Sequence, residues 1–118
     1  MKLKPNCKIW LERGGEKVFG DGPCDILQRV ERTGSLRAAA GELRMSYSQA
    51  WQLLDLLESK LGFPLLSRTI GGSTGGGSKI TPEGRKLVKR FTLFQEEARQ
   101  LFAELFVKHF AGGGTRGE

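Results

Sequence analysis

The chain is poor in the residues that carry most metal and nucleophilic chemistry. Its 118 residues hold one histidine and two cysteines. Cys7 and Cys24 lack C-x-x-C spacing and the density of a disulfide scaffold, so both are expected to be reduced, packed thiols. With His109 near a fraying end, they make no convincing zinc site, and no metal or cofactor is expected. The carboxylates are scattered over charged helix faces, and no nucleophile sits beside a base, so the chain does not read as an enzyme. No apolar run approaches the roughly 20 residues of a membrane span. The opening Met1-Lys2-Leu3-Lys4-Pro5-Asn6 lacks an apolar signal core. A cytoplasmic protein without a membrane partner is the expectation.

What the chain does have is positive charge in a defined place. Nineteen basic residues against thirteen acidic ones leave a net charge of +6. Between Gly34 and Arg90 the bases are Arg37, Arg44, Lys60, Arg68, Lys79, Arg85, Lys86, Lys89 and Arg90, against Glu42, Asp55, Glu58 and Glu83. Most of the excess therefore lies in this middle segment. Concentrated charge of one sign favours a polyanionic partner through long-range attraction.

The local patterns read as a mostly α domain over residues 1–110, with small β elements and a disordered, glycine-rich tail over 111–118. Residues from about 8 to 20 form a β-hairpin, with strands Lys8–Glu12 and Glu16–Phe19 around Arg13-Gly14-Gly15. A first helix starts near Pro23, with Asp21 or Gly22 outside it, and stops at Thr33-Gly34. Ser35 caps a second helix, Leu36–Leu43. After a short link, Ser46 and Gln49 match an S-x-x-Q capping box. The third helix runs to about Leu61, with Ala50, Leu53, Leu54, Leu57 and Leu61 toward the core. Leu65–Ile70 reads as a strand, Gly71–Ser78 as a loop and Lys79-Ile80 as a return strand. Thr81-Pro82-Glu83 opens a last helix that runs to about Phe110.

Helix, short turn, helix, strand, glycine loop, strand is the order of a winged helix-turn-helix. The third helix would then lie in the major groove of double-stranded DNA. Ser46, Tyr47, Ser48, Gln49 and Gln52 are the expected readers or positioners, with Ser35 beside them. Gln52 suits a bidentate contact to adenine, and Tyr47 a thymine methyl or a sugar. Trp51 reads equally well as a DNA contact or as packing against helix two or the wing, and Asp55 as a surface residue. Arg68, Lys79 and Arg85 are the expected phosphate contacts. The glycine loop is a wing tip or a linker. It is not a phosphate cradle of the G-x-x-x-x-G-K-[ST] type, because Lys79 has serine before it and isoleucine after it.

Leu87, Phe91, Phe94, Ala98, Leu101 and Leu105 recur at spacings of four and three along the last helix, an a/d seam that Phe102 widens. About 40 Å of helix, at 1.5 Å per residue, outruns so small a domain. Its second half is expected to pack on a second copy, making a homodimer.

The strings Thr33-Gly34-Ser35-Leu36-Arg37-Ala38-Ala39-Ala40, Met45-Ser46-Tyr47-Ser48-Gln49-Ala50-Trp51 and Leu61-Gly62-Phe63-Pro64-Leu65 resemble the LysR-type DNA-binding domain. The Ser46–Trp51 element, the Gly71–Gly77 loop and Ile80-Thr81 followed by Gly84 resemble its ModE branch of molybdate-responsive regulators. That resemblance covers roughly Lys8 to Phe110. It implies a transcription regulator, dimeric through the terminal helices, with one recognition helix in each half-site of a palindrome. It also implies a stand-alone form that lacks the molybdate-binding domains and does not itself sense molybdate. Two other readings stay open: a sequence-indifferent architectural DNA-binding protein, and a winged-helix module that binds an acidic protein.

Overall fold

The computed structural model describes residues 2–68 and 77–110. The elements in chain order are β1 (Leu11–Arg13), β2 (Glu16–Phe19), α1 (Asp21–Thr33), α2 (Leu36–Glu42), α3 (Tyr47–Leu61), β3 (Leu66–Arg68), β4 (Ser78–Ile80) and α4 (Pro82–Phe110). This is a winged helix-turn-helix preceded by a β-hairpin. The end of the expected strand at Thr69-Ile70, most of the expected glycine loop and the expected tail over 111–118 lie outside the described residues.

The hairpin turns through Gly14 and Gly15 alone, both at positive φ, as a two-residue hairpin turn demands. Arg13, expected in the turn, pairs with Glu16 instead. Pairing breaks register between Leu11 and Glu12, and β1 is correspondingly shorter than the expected Lys8–Glu12. The hairpin is seated on the end of α3. The Arg13 guanidinium donates to the Lys60 and Leu61 carbonyls at 3.3 and 3.0 Å, and Glu16 pairs with Lys60 at 3.1 Å. Carbonyls that a helix end leaves unpaired thus gain a charged donor.

Helix α1 begins two residues before the expected Pro23. Gly20 is its N-cap, and the Gly20 carbonyl accepts from the Cys24 N–H at 3.1 Å. Pro23 fits in the first turn because the N–H it lacks would have had no partner there. Ser35 caps α2, its hydroxyl accepting from the Ala38 N–H at 3.0 Å. Helix α2 stops at Glu42, and Leu43, expected inside it, is the C-cap. Arg44 then takes a left-handed conformation, φ 57°. The Met45 N–H reaches the Ala40 carbonyl at 2.9 Å and the Arg44 N–H that of Gly41 at 3.1 Å. This is the paired closure of a Schellman turn, here without its usual glycine.

The core gathers one face of each helix, with Phe19, Leu27, Leu36, Ala50, Leu54 and Leu65 almost wholly sealed from solvent. Of the five α3 positions expected inward, Ala50, Leu54 and Leu57 are buried, while Leu53 and Leu61 pack at its edge. Ala39 and Ala40 are buried where α2 meets α1 and α3; small side chains there permit close approach.

The wing strands β3 and β4 are antiparallel, pairing Leu66 with Ile80 and Arg68 with Ser78. Glu58 fastens the wing to α3. Its carboxylate accepts from the Leu65 and Leu66 N–H groups at 2.6 and 3.1 Å. Thr81 joins wing to α4: its hydroxyl donates to the Pro64 carbonyl at 2.7 Å and accepts from the Gly84 N–H at 2.9 Å. The first turn of α4 lies so close to the wing that a Cβ on Gly84 would stand 2.7 Å from the Leu65 carbonyl oxygen.

Helix α4 changes role along its length. Phe91 is 2% exposed and meets Phe19 edge-to-face at 5.2 Å, and Gln95, also buried, donates to Asp21 on α1. From 96 to 110 no residue is buried. The apolar seam continues regardless, with Phe94 at 53% and Leu101 at 61% exposure.

Candidate nucleic-acid interface

The site is built around the first turn of α3. Ser46 holds the turn rigid through a reciprocal cap. Its hydroxyl accepts from the Gln49 N–H, and the Gln49 side-chain oxygen accepts from the Ser46 N–H, each at 3.0 Å. The acceptor oxygens of both residues are thus engaged in the cap. Positioning the helix is the task this geometry gives Ser46 and Gln49.

Beyond the cap, Tyr47, Ser48 and Gln52 are exposed on the face of α3 opposite the core, with Asp55 one turn further. Residues 48, 52 and 55 share that face because helical neighbours sit three and four apart. A polar face on an otherwise core-packed helix can present amide and hydroxyl groups to base edges. Trp51 is half-buried, packs against the core and lies edge-to-face with Tyr47 at 6.3 Å between ring centres. Trp51 thus packs within the protomer, on the core and on Tyr47.

Arg37 of α2 lies over the Tyr47 ring, its guanidinium carbon 4.3 Å from the centroid. By sequence Arg37 is one basic residue among several. A basic residue just after a helix cap, exposed on α2, was the available clue; the ten-residue gap to Tyr47 concealed the pairing.

The wing base and the start of α4 meet the α1–α2 turn across an open groove of about 460 Å³, lined among others by Glu31, Gly34, Lys79 and Arg85. Ser35 is the residue after Gly34, so the α2 cap and the wing strand are neighbours. Lys79 is exposed on β4. Arg68 ends β3 opposite Ser78. Arg85 is not a free cation: its guanidinium meets both carboxylate oxygens of Glu31, at 2.9 and 3.3 Å. A phosphate contact by Arg85 would compete with that pair. The partners stand 54 positions apart, which is why sequence spacing concealed them.

Other charges here are structural. Arg29 bridges Asp25 and Glu42, each at 2.9 Å, and Arg32 joins Glu42 from the other side. Hydrogen bonds from Arg32 and Arg29 hold the Glu42 carboxyl below the usual glutamate range. The hydrogen bonds that Arg29 donates to Asp25 and Glu42 raise its own pKa further. Burial pushes the Cys24 thiol up, against a hydrogen bond with Thr92, which favours its protonated form. Among the described residues, no three His, Cys, Asp or Glu side chains are placed to hold a metal ion, and no helix is long and apolar enough to cross a membrane.

Two curated proteins and one solved structure are similar to this chain. The molybdenum-pterin-binding protein MopB of Rhodobacter capsulatus is 33% identical over 80% of this chain and 35% of its own length. The molybdenum transport protein ModE of Azotobacter vinelandii is 35% identical over 68% of this chain and 30% of its own. The chain thus spans about a third of the curated relatives it matches. Among solved structures, the CbnR DNA-binding domain in complex with DNA shares the fold, with a TM-score of 0.52, 24% identity, and coverage of 66% of this chain and 84% of that one. Residues 24–85, from α1 through the wing to the first turn of α4, match the bacterial regulatory helix-turn-helix proteins of the lysR family. With its capped α3 and its wing inside that match, the chain belongs to this family, as a winged helix-turn-helix domain similar to those of the ModE regulators.

Proposed function

We propose that the protein is a non-enzymatic, sequence-specific DNA-binding transcription regulator that acts as a homodimer on a palindromic site. The observation that carries this reading is α3 itself: a rigidly capped first turn, one face sealed in the core, and Tyr47, Ser48 and Gln52 exposed on the other. Family membership supports it, as does the fold shared with a domain solved on DNA. In this reading α3 enters the major groove, Gln52 reads a base edge, and Ser35, Lys79 and Arg68 lie along the phosphates, with Arg85 joining them by leaving Glu31.

The second copy is argued from α4. Phe94, Ala98, Leu101, Phe102 and Leu105 form a continuous apolar stripe on a helical segment that the protomer leaves uncovered. Two such segments packed together would bury the stripe and hold two α3 helices at a fixed separation, which a palindrome matches.

Selection of bound duplexes from a random pool, at near-physiological salt, tests the reading. Enrichment of a palindrome is the expected result. Binding without enrichment, lost steeply as salt rises, would replace it with a sequence-indifferent architectural role. No binding at all would leave the interaction module.

A further inference from the structure

Three arginines around α1, α2 and the start of α4 are held by carboxylates. Arg29 and Arg32 share Glu42, and Arg85 is held by Glu31. Arg37 differs: among the described residues no carboxylate pairs with it, and its guanidinium lies on the Tyr47 ring at 4.3 Å. An aromatic face attracts the cation yet uses none of its N–H donors. Held over the ring, the guanidinium keeps its N–H donors available for a phosphate.

Behind the pair is a support. Tyr47 is braced edge-to-face on Trp51, and Trp51 packs against the core. Trp51, Tyr47 and Arg37 thus form a ladder from the interior to the surface at the first turn of α3. Exposed arginine has several rotatable bonds, and fixing them before contact lowers the entropy lost on binding.

We infer that Arg37 is a phosphate contact that sets the depth and angle of α3 on double-stranded DNA, and that Tyr47 is its positioning residue rather than a reader of bases. This rests on the DNA-binding reading above. Arg37 would clamp the backbone from α2 while the exposed face of α3 faces the groove.

The test uses the full chain and a fluorescently labelled, mixed-sequence duplex of about 30 base pairs, titrated by anisotropy over a salt series. Each phosphate contact contributes close to one unit to the slope of log affinity against log salt. Arg37→Gln is expected to lower that slope by about one and to weaken binding roughly tenfold near 0.1 M salt. Tyr47→Phe, which keeps the ring, should bind like the parent, and Tyr47→Ala should reproduce the Arg37→Gln slope. Combined with Arg37→Gln, Tyr47→Ala should add nothing. An unchanged slope in Arg37→Gln overturns the inference, as does additive loss in the double variant. A loss in Tyr47→Phe equal to that in Tyr47→Ala overturns it too, since the hydroxyl would then be the contact. Circular dichroism melts check that the variants fold; Arg37→Gln and Tyr47→Phe leave the Trp51 support untouched. A parent chain that does not bind the duplex overturns the DNA-binding reading itself, a result distinct from a bound parent with an indifferent Arg37→Gln.

Discussion

The two halves of α4 carry the same kinds of side chain and put them to different use. From Pro82 to Gln95 the helix closes the domain: Gly84 lies against the wing, Phe91 against Phe19, and Gln95 reaches Asp21. From 96 to 110 it repeats apolar residues at the same spacing, and the protomer covers none of them fully. Periodicity says that a helix has a face to bury. It does not say in what. Length decides here, because 29 residues span about 44 Å at 1.5 Å each, far more than one small core can cover.

The largest effect expected from this division is at Phe91. Phe91→Ala removes a ring from a closed site and should lower the free energy of unfolding by about 3–5 kcal/mol. Leu101→Ala, at 61% exposure, should change protomer stability by no more than about 0.5 kcal/mol. Urea denaturation at low protein concentration measures both. Equal losses at the two positions would erase the contrast.

Gly84 probes the same half through backbone rather than ring packing. An added methyl would meet the Leu65 carbonyl at 2.7 Å, with Ile80 and Thr81 atoms at 3.1 Å. The carbonyl belongs to a backbone that Glu58 also holds, so it cannot yield freely. Gly84→Ala should cost about 1–3 kcal/mol, within the range of overpacked cores. A variant that melts at the parent temperature would mean that wing and helix are less tightly joined than their geometry indicates.

The exposed stripe that begins at Phe94 and runs on through the outer half answers to a different measurement. Phe94→Glu with Leu101→Glu places charges on the exposed stripe and should leave the helical signal and protomer stability within about 0.5 kcal/mol. Sedimentation should find this variant monomeric where the parent is dimeric, and binding to a palindrome should weaken with it. An intact dimer would end the argument that this stripe is the seam.

The same division marks what the sequence discloses. Elements announced by local chemistry are legible: Thr81-Pro82-Glu83 opens α4 where expected, and the Ser46/Gln49 box opens α3. Tertiary contacts are not. Phe91 belongs to the heptad seam by spacing, yet Phe19, distant in sequence, draws it into the protomer's own core. Helix α1 starts two residues before Pro23, since proline favours a first position but the first turn tolerates it elsewhere. Nothing adjacent to Arg44 announces a left-handed residue, since glycine or asparagine is the usual mark. At the interface, the exposed face of α3 was legible from period alone. The Glu31 pair of Arg85 and the Tyr47 seat of Arg37 were not, because each joins residues on different helices.

The smallest effect expected lies in the charge network that ties α2 to α1. Glu42 has its folded pKa lowered by hydrogen bonds from Arg32 and Arg29. A depressed carboxylate contributes its stability fully above the unfolded pKa, about 4.3 for glutamate, and loses it as pH falls through the folded value. The network should therefore be silent near neutrality and weaken below about pH 4. Because Glu42 and its arginines face solvent, salt should mute the effect. Glu42→Gln should flatten the acid limb of the melting-temperature profile relative to the parent, with the two curves converging at the lowest pH. The same profile should leave Phe91→Ala parallel to the parent, since no proton is bound or released at that site. An acid limb as steep in Glu42→Gln as in the parent would assign the acid sensitivity to other carboxylates.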